Sequence, residues 1–452
     1  MTIELERSGA GGDTAADRIP ATRVHETLSA SMLADGFDLV LDLPASYGRH
    51  LVDARDGTDY LDMFGFFASS ALGMNHPALA GDAAFRNELT TAAVNKPSNS
   101  DIYTVEMARF VHTFVRVLGD PRLPHLFFID GGALAVENAL KTAFDWKSRH
   151  NELHGRTTRP GHEAEVLHLT GAFHGRSGYT LSLTNTDPVK TERFPVFDWP
   201  RIETPWLGGH EDIDRAEQLT LDQATRAFAE RPNSIACFIA EPIQGEGGDR
   251  HMRPEFLRAM QRLCHDNDAL FVVDEVQSGV GLTGSTWAYQ QFGLQPDIVA
   301  FGKKTQVCGI MAGGRVDEVH DNVFAVPSRL NSTWGGNLTD MVRARRILEV
   351  VERDGLVERA AVLGEHLQGL LRELAERHPA VSDPRGRGLM CAITLPDTGF
   401  RDAVLISLRE RERVLMIGTG PSGIRFRPPL TVEREELDAA VAALDRVLAD
   451  AG

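Results

Sequence analysis

Residues 269–304 read ALFVVDEVQSGVGLTGSTWAYQQFGLQPDIVAFGKK. Two apolar runs in this stretch end abruptly in charge, the first at Asp274 and Glu275, the second at Lys303 and Lys304. Neither run alternates strictly, which suits strands covered by helices on both faces. In α/β sheets ligands sit beyond the carboxyl ends of strands, so two neighbouring strand ends here offer an acid and an amine where a ligand would lie. Alone, Asp274 reads equally well as a helix cap or turn aspartate; the lysine beside it is what turns the reading toward chemistry. Successive side chains of an extended chain point to opposite sides, so one lysine is expected to face the site. Lys304 is then expected to be a solvated or phosphate-proximal charge.

Outward from this stretch the same pattern repeats. LFFID (126–130) precedes a helix expected from Ala133 to about Lys147, and VLHL and ACFIAEP are further strand-like runs. Strands alternating with helices over about 100–305 predict a mainly parallel sheet between helices. Before it, LVDARDGTDYLDMF alternates around an Asp-Gly pair and predicts a hairpin. After Leu338 come helices over 339–353 and 355–377, a strand at MCAITL, a helix near 400–411, strands at VLMIG and IRFRP, and a closing helix. DPRGRG (383–388) reads as a turn within that smaller α+β part. The expected division is a flexible tail (1–20), a segment joining the small domain (21–80), a large domain (81–335) and the rest of the small domain (336–452).

The chain has 452 residues, with 47 Lys+Arg against 64 Asp+Glu and a formal net charge of −17. That balance argues against a nucleic-acid or anionic-membrane surface, which needs a positive field. No apolar stretch reaches the roughly 18 residues of a spanning helix, and the start lacks a signal pattern, so a cytoplasmic protein is expected. The four cysteines, Cys237, Cys264, Cys308 and Cys391, have no metal-site spacing, so no metal is expected and the thiols should be free. Lysine occurs only at Lys96, Lys141, Lys147, Lys190, Lys303 and Lys304. Chemistry that needs a primary amine therefore has few candidates.

A carboxylate and a lysine at one crevice are what pyridoxal phosphate requires: the acid keeps the pyridine nitrogen protonated, and the amine holds the aldehyde and later moves a proton. IDGGALAVENALK supplies a Gly-Gly turn before a helix, whose backbone amides bind phosphate without a charged side chain. Many such turns are merely tight connections, and NSTWGGN (331–337) reads equally as an ordinary Ser/Thr turn. In GAFHGRSG (171–178), Phe173 or His174 offers a ring to stack on a flat heterocycle, and Arg176 offers a bidentate fork for a carboxylate. Glu241 and Glu246 flank a Gly-containing turn in EPIQGEGG. No GxGxxG opens a helix after a strand, which disfavours a dinucleotide-binding protein.

The ordered set DGGALAVENALK, GAFHGRSG, EPIQGEGG, DEVQSG, FGKK, NSTWGGN and IRFRPPL resembles the class III aminotransferases of fold type I, from about Pro44 to Leu448. FGKKTQVCGIMAG resembles the L-lysine 6-aminotransferases in particular. The resemblance implies a pyridoxal 5'-phosphate enzyme of cytoplasmic, homodimeric type. Lys303 matches the lysine that holds the coenzyme, Asp274 the partner of the ring nitrogen, Val276 and Phe173 the residues on the two ring faces, and Gln277 the partner of the ring hydroxyl. Gly132 and Ala133 match the phosphate-cup amides, and Thr333 a threonine that reaches the phosphate in the neighbouring subunit. Glu246 and Arg425 match a switch: the glutamate masks the arginine while lysine reacts and leaves it when glutamate or 2-oxoglutarate brings an α-carboxylate. An unmasked arginine against an apolar chain would cost several kcal/mol, on the order described for buried ions. Arg176 would hold the distal carboxylate.

The implied reaction moves the ε-amino group of L-lysine to 2-oxoglutarate, giving 2-aminoadipate 6-semialdehyde and L-glutamate. Ornithine or 4-aminobutyrate as donor is the alternative, since one methylene is worth only about 1–3 kcal/mol of discrimination; a non-catalytic coenzyme-binding protein is the remote one. Gly131 and Leu134 depart from the Ser/Thr and the acid common at these positions in the class, so phosphate binding should rest more on backbone amides.

Overall fold

A computed structural model describes residues 19–451 of the chain. Of the expected N-terminal tail, residues 1–18 lie outside the described residues.

The hairpin around Asp56-Gly57 forms as β1 (His50–Val52) and β2 (Asp59–Asp62), antiparallel with Leu51 opposite Tyr60. The large sheet then assembles from β3 (His125–Ile129), β4 (Glu165–Leu169), β5 (Arg201–Ile202) and β6 (Ile235–Ala240). A two-stranded ribbon, β7 (Ile243–Gln244) with β8 (Arg250–His251), follows β6 in the chain as a separate sheet. The large sheet is completed by β9 (Leu270–Asp274), β10 (Ile298–Phe301) and β11 (Cys308–Ala312). The order is β3-β11-β10-β9-β6-β4-β5, and β11 alone runs against the others. The expected mainly parallel sheet is present, with β11 as the strand that FGKKTQVCGIMAG conceals.

Residue parity along the strands divides the core in two. Leu270, Val272, Ile298 and Ala300 pack with Val136, Ala139 and Leu140 of the helix Gly132–Leu153. Phe271, Val273, Val299 and Phe301 face the other way, toward Phe256 and Met260 of the helix Pro254–Asp266 and Phe110 and Phe114 of Val105–Leu118. The runs show no polar alternation because neither face meets water.

The C-terminal part carries β12 (Ser382–Arg387), β13 (Met390–Thr394), β14 (Val414–Leu415), β15 (Ile417–Thr419) and β16 (Gly423–Phe426). DPRGRG is not a turn but most of β12, an outer strand paired to β13. Pro384 is accommodated because the register shifts between Ser382 and Arg385, where no ladder donor is needed. The reversal falls after it, at Gly388-Leu389.

β14 pairs in parallel with β2, so the N-terminal hairpin and the C-terminal part share a sheet. This supports the proposed grouping of 21–80 with 336–452. The helix Leu338–Arg353 lies beyond the expected boundary, yet it packs on Ala83–Val94 and Val105–Leu118 as well as on Leu356–Arg377, and so bridges the two parts. No described helix is long and apolar enough to cross a membrane.

Candidate active site

β9 and β10 run side by side, with Ala300 opposite Asp274, so the acid and the lysine segment emerge at one end of the sheet. They border a cavity of about 600 Å³ lined by Gly132, Ala133, Phe173, Arg176, Asp274, Val276, Gln277 and Lys303, with Ser69, Glu241, Gln306 and Cys308 among the others. Eight residues expected from sequence therefore meet around one space, within the usual size range for small-molecule sites.

Asp274 is buried, and both its oxygens are engaged. Oδ1 accepts the Val276 amide at 3.0 Å, and Oδ2 lies 2.8 Å from Nδ1 of His174, whose side chain is fully buried. His174 thus does not offer a face for stacking, as its loop position allowed; it holds the acid, and Phe173 is the aromatic of this pair that remains for stacking. Glu241 lies next to this pair, its carboxylate accepting the amides of Phe173 and Gly245, both at 3.0 Å. Burial, reinforced by the charge of Asp274, pushes its pKa up to about 7.

The chain leaves the extended conformation directly after β10. Lys303 has φ 54° and opens a 3-10 turn over Lys303–Thr305, with Gln306 at φ 60°. The alternation rule therefore does not apply, and both amines turn toward one segment: Lys303 Nζ donates to Phe67 O at 2.9 Å and Lys304 Nζ to Ala68 O at 2.6 Å. The expectation of a solvated or phosphate-proximal Lys304 is corrected. Its side chain is 1% exposed and absent from the cavity wall, and burial drives its pKa well down. Lys303 does line the cavity. Burial first, then the guanidinium groups of Arg425 and Arg427, lower its pKa to about 8.

The accepting segment is itself unusual. Gly65, Phe66, Phe67 and Ala68 all have positive φ, a left-handed turn that costs non-glycine residues roughly 1–2 kcal/mol each. A Cβ at Gly65 would lie 2.0 Å from Arg427 O, so glycine is also required for space. Lys304 and Gln306, whose Nε2 donates to Ser69 O at 3.1 Å, pin the turn from below.

The helix Gly132–Leu153 begins at the cavity after Gly131, which has φ 97°. Its free amides and dipole make an anion site. Gln277 is fixed by Arg427, whose Nε donates to Oε1 at 3.0 Å; Arg427 in turn pairs with the buried Asp249.

Glu246 sits in the turn between β7 and β8, and Arg425 on β16. Arg425 Nη2 donates to Glu246 Oε2 at 2.9 Å, and its Nη1 to Gly245 O at 3.2 Å. The two side chains are thus paired. Neither residue lines the cavity itself, but the Arg425 guanidinium lies 5.9 Å from the ring centroid of Phe67, whose carbonyl accepts Lys303 Nζ. Burial would raise the Glu246 carboxyl, but Arg425 and then Lys190 outweigh it and hold the pKa down to about 2. Lys190 lies outside every motif quoted above, and the scarcity of lysine is the signal the sequence offers for it.

Thr333 is not brought to the cavity; it is exposed, in a segment that packs on residues 96–100 through Asn99 Nδ2 to Gly336 O at 2.9 Å and Lys96 Nζ 3.6 Å from the Trp334 ring centroid.

Known proteins resemble the chain over nearly its whole length. The family model for aminotransferase class-III matches residues 38–448. The L-lysine-epsilon aminotransferase of Mycobacterium tuberculosis (strain ATCC 25618 / H37Rv) is 65% identical over 430 residues, covering 94% of this chain and 95% of the relative. That of Streptomyces clavuligerus is 57% identical over 447 residues, covering 98% and 97%. The solved structure of lysine aminotransferase from M. tuberculosis in the internal aldimine form superposes with a TM-score of 0.94 at 64% identity, covering 96% of this chain and all of that one.

Proposed function

The chain belongs to the class III aminotransferases, and from that premise we propose that it transfers the ε-amino group of L-lysine to 2-oxoglutarate, yielding 2-aminoadipate 6-semialdehyde, which cyclises to a piperideine carboxylate, and L-glutamate. The observation that carries an ω-amine donor is the Glu246–Arg425 pair at 2.9 Å, linked to Lys303 through Phe67, which lies against Arg425 and accepts from Lys303; the relatives named for lysine epsilon-amine transfer support lysine as the donor.

The cavity suits pyridoxal 5'-phosphate: it presents an amine, a buried carboxylate, two apolar side chains and a helix start with free amides. When bound, the coenzyme supplies an aldehyde that exchanges between amines and a ring that takes up electrons from the substrate carbon. Asp274, oriented by His174, keeps the ring nitrogen protonated. Val276 and Phe173 hold the ring faces, Gln277 the ring hydroxyl, and the amides of Gly132 and Ala133 the phosphate. Lys303 would hold the coenzyme through Nζ, and the same amine is the group at the cavity wall that could move the proton at the substrate carbon bearing nitrogen. A pKa near 8 leaves a useful share of that amine unprotonated at neutral pH.

Glu246 masks Arg425 while the apolar chain of lysine lies over it, and yields it to the α-carboxylate of 2-oxoglutarate or glutamate. Arg176 holds the distal carboxylate in both half-reactions. The working unit is a homodimer in which Thr333 completes the partner's phosphate site. Ile102 and Tyr103, 67% and 75% exposed, and the exposed Trp334 flank this threonine's segment and supply apolar surface for a second copy. All four cysteines are free, which suits a reducing cytoplasm.

Lysine labelled at the ε nitrogen tests the reading. The label is expected in glutamate, with the α nitrogen retained in the cyclised product; label retained at the ε position, or faster turnover of ornithine or 4-aminobutyrate, would contradict it.

A further inference from the structure

Glu246 is held by two cations, not one. Its Oε2 accepts from Arg425 at 2.9 Å, while Oε1 accepts from Lys190 Nζ at 2.8 Å. The three side chains come from separate segments: Glu246 from the ribbon turn, Arg425 from β16, and Lys190 from the 3-10 turn Pro188–Lys190, which Asp187 caps through the Val189 amide at 3.0 Å. Lys190 has its own support, donating to Thr186 Oγ1 at 3.1 Å, and its ammonium lies 5.4 Å from the ring centroid of Phe173, a residue of the cavity wall. Arg425 is almost fully buried, whereas the Lys190 and Glu246 side chains are 20% and 29% exposed.

We propose that Lys190 is the second anchor of the Glu246 switch: it keeps the carboxylate when a substrate carboxylate takes Arg425. The division of the oxygens is what allows this, because losing Arg425 from Oε2 leaves Oε1 on Lys190. With an amine donor in place the group is two cations on one carboxylate. With 2-oxoglutarate it becomes two cations and two carboxylates, a balanced set. Without Lys190, Glu246 would have to leave its only counter-ion for every incoming α-carboxylate, and its hold on Arg425 would compete directly with that substrate. Lys190 touches neither substrate nor coenzyme in this role; it is a positioning residue that sets the balance between the two half-reactions.

The inference rests on the reading of Arg425 as the α-carboxylate site and Glu246 as its mask. It is tested on the full-length holoenzyme by single-turnover kinetics of each half-reaction, with L-lysine and with 2-oxoglutarate. Lys190→Met is expected to weaken apparent 2-oxoglutarate binding about tenfold relative to lysine, with the rate at saturation changed much less, the fold-change expected for one charge-assisted hydrogen bond. Lys190→Arg should restore the ratio. In a Glu246→Gln background Lys190→Met should add little, since its effect passes through that carboxylate. Equal slowing of both half-reactions by Lys190→Met, no change in their ratio, or full additivity with Glu246→Gln would overturn the inference. If Glu246→Gln itself fails to separate the half-reactions, the underlying switch falls; if it separates them and Lys190→Met does not, only the role of Lys190 falls.

Discussion

Asp274 and His174, one hundred residues apart, meet at 2.8 Å with the histidine side chain fully buried. The acid at the end of β9 is therefore held from behind by a group that reaches no solvent, leaving its position over the cavity fixed before any ligand arrives.

His174→Phe should keep the fold yet release Asp274. A hydrogen bond to a charged group is worth about 1.5–3 kcal/mol, so the rate of either half-reaction should drop roughly 10- to 100-fold, with weaker coenzyme retention. Stopped-flow kinetics at saturating coenzyme measures this; an unchanged rate would remove His174 from the account.

Lys304→Met should act on stability, not on the coenzyme linkage. It leaves Ala68 O without its donor in a turn already strained by positive φ at Phe66, Phe67 and Ala68. A loss of about 1–3 kcal/mol is expected in denaturant unfolding, with the bound chromophore retained. Loss of the chromophore's covalent link in this variant would contradict the choice of Lys303.

Glu241 makes stability depend on pH. Its folded pKa of about 7 lies above the ordinary 4.5, so between these values the folded chain binds more protons than the unfolded one. Its contribution is full below pH 4.5 and is lost as pH rises through 7, a swing of about 3 kcal/mol at most. Glu275, also raised to about 7 by burial, adds a similar slope. Apoenzyme unfolding followed across this range should therefore fall less steeply in Glu241→Gln than in the parent; parallel curves would contradict the shift.

The central strands were legible because burial on both faces leaves continuous apolar runs, and Asp274 and Lys303 were legible because charge interrupts those runs at their carboxyl ends. What escaped depends on distant chain. DPRGRG has the composition of a turn, and only its partner β13 makes it a strand. Lys303 and Lys304 escape strict alternation through a single backbone angle, φ 54° at Lys303. The left-handed turn at Gly65–Ala68 is sustained by lysine and glutamine donors more than two hundred residues away, which GFFASS does not announce. Lys190 is isolated in sequence, and its meaning lies wholly in meeting Glu246 and Phe173.

The central claim is that the amine at position 303 carries the coenzyme. Borohydride reduction of the purified holoenzyme followed by peptide mass mapping tests it most directly. The account predicts a pyridoxyl phosphate adduct on Lys303 and an unmodified Lys304; an adduct on Lys304, on Lys190, or on no lysine at all would contradict it.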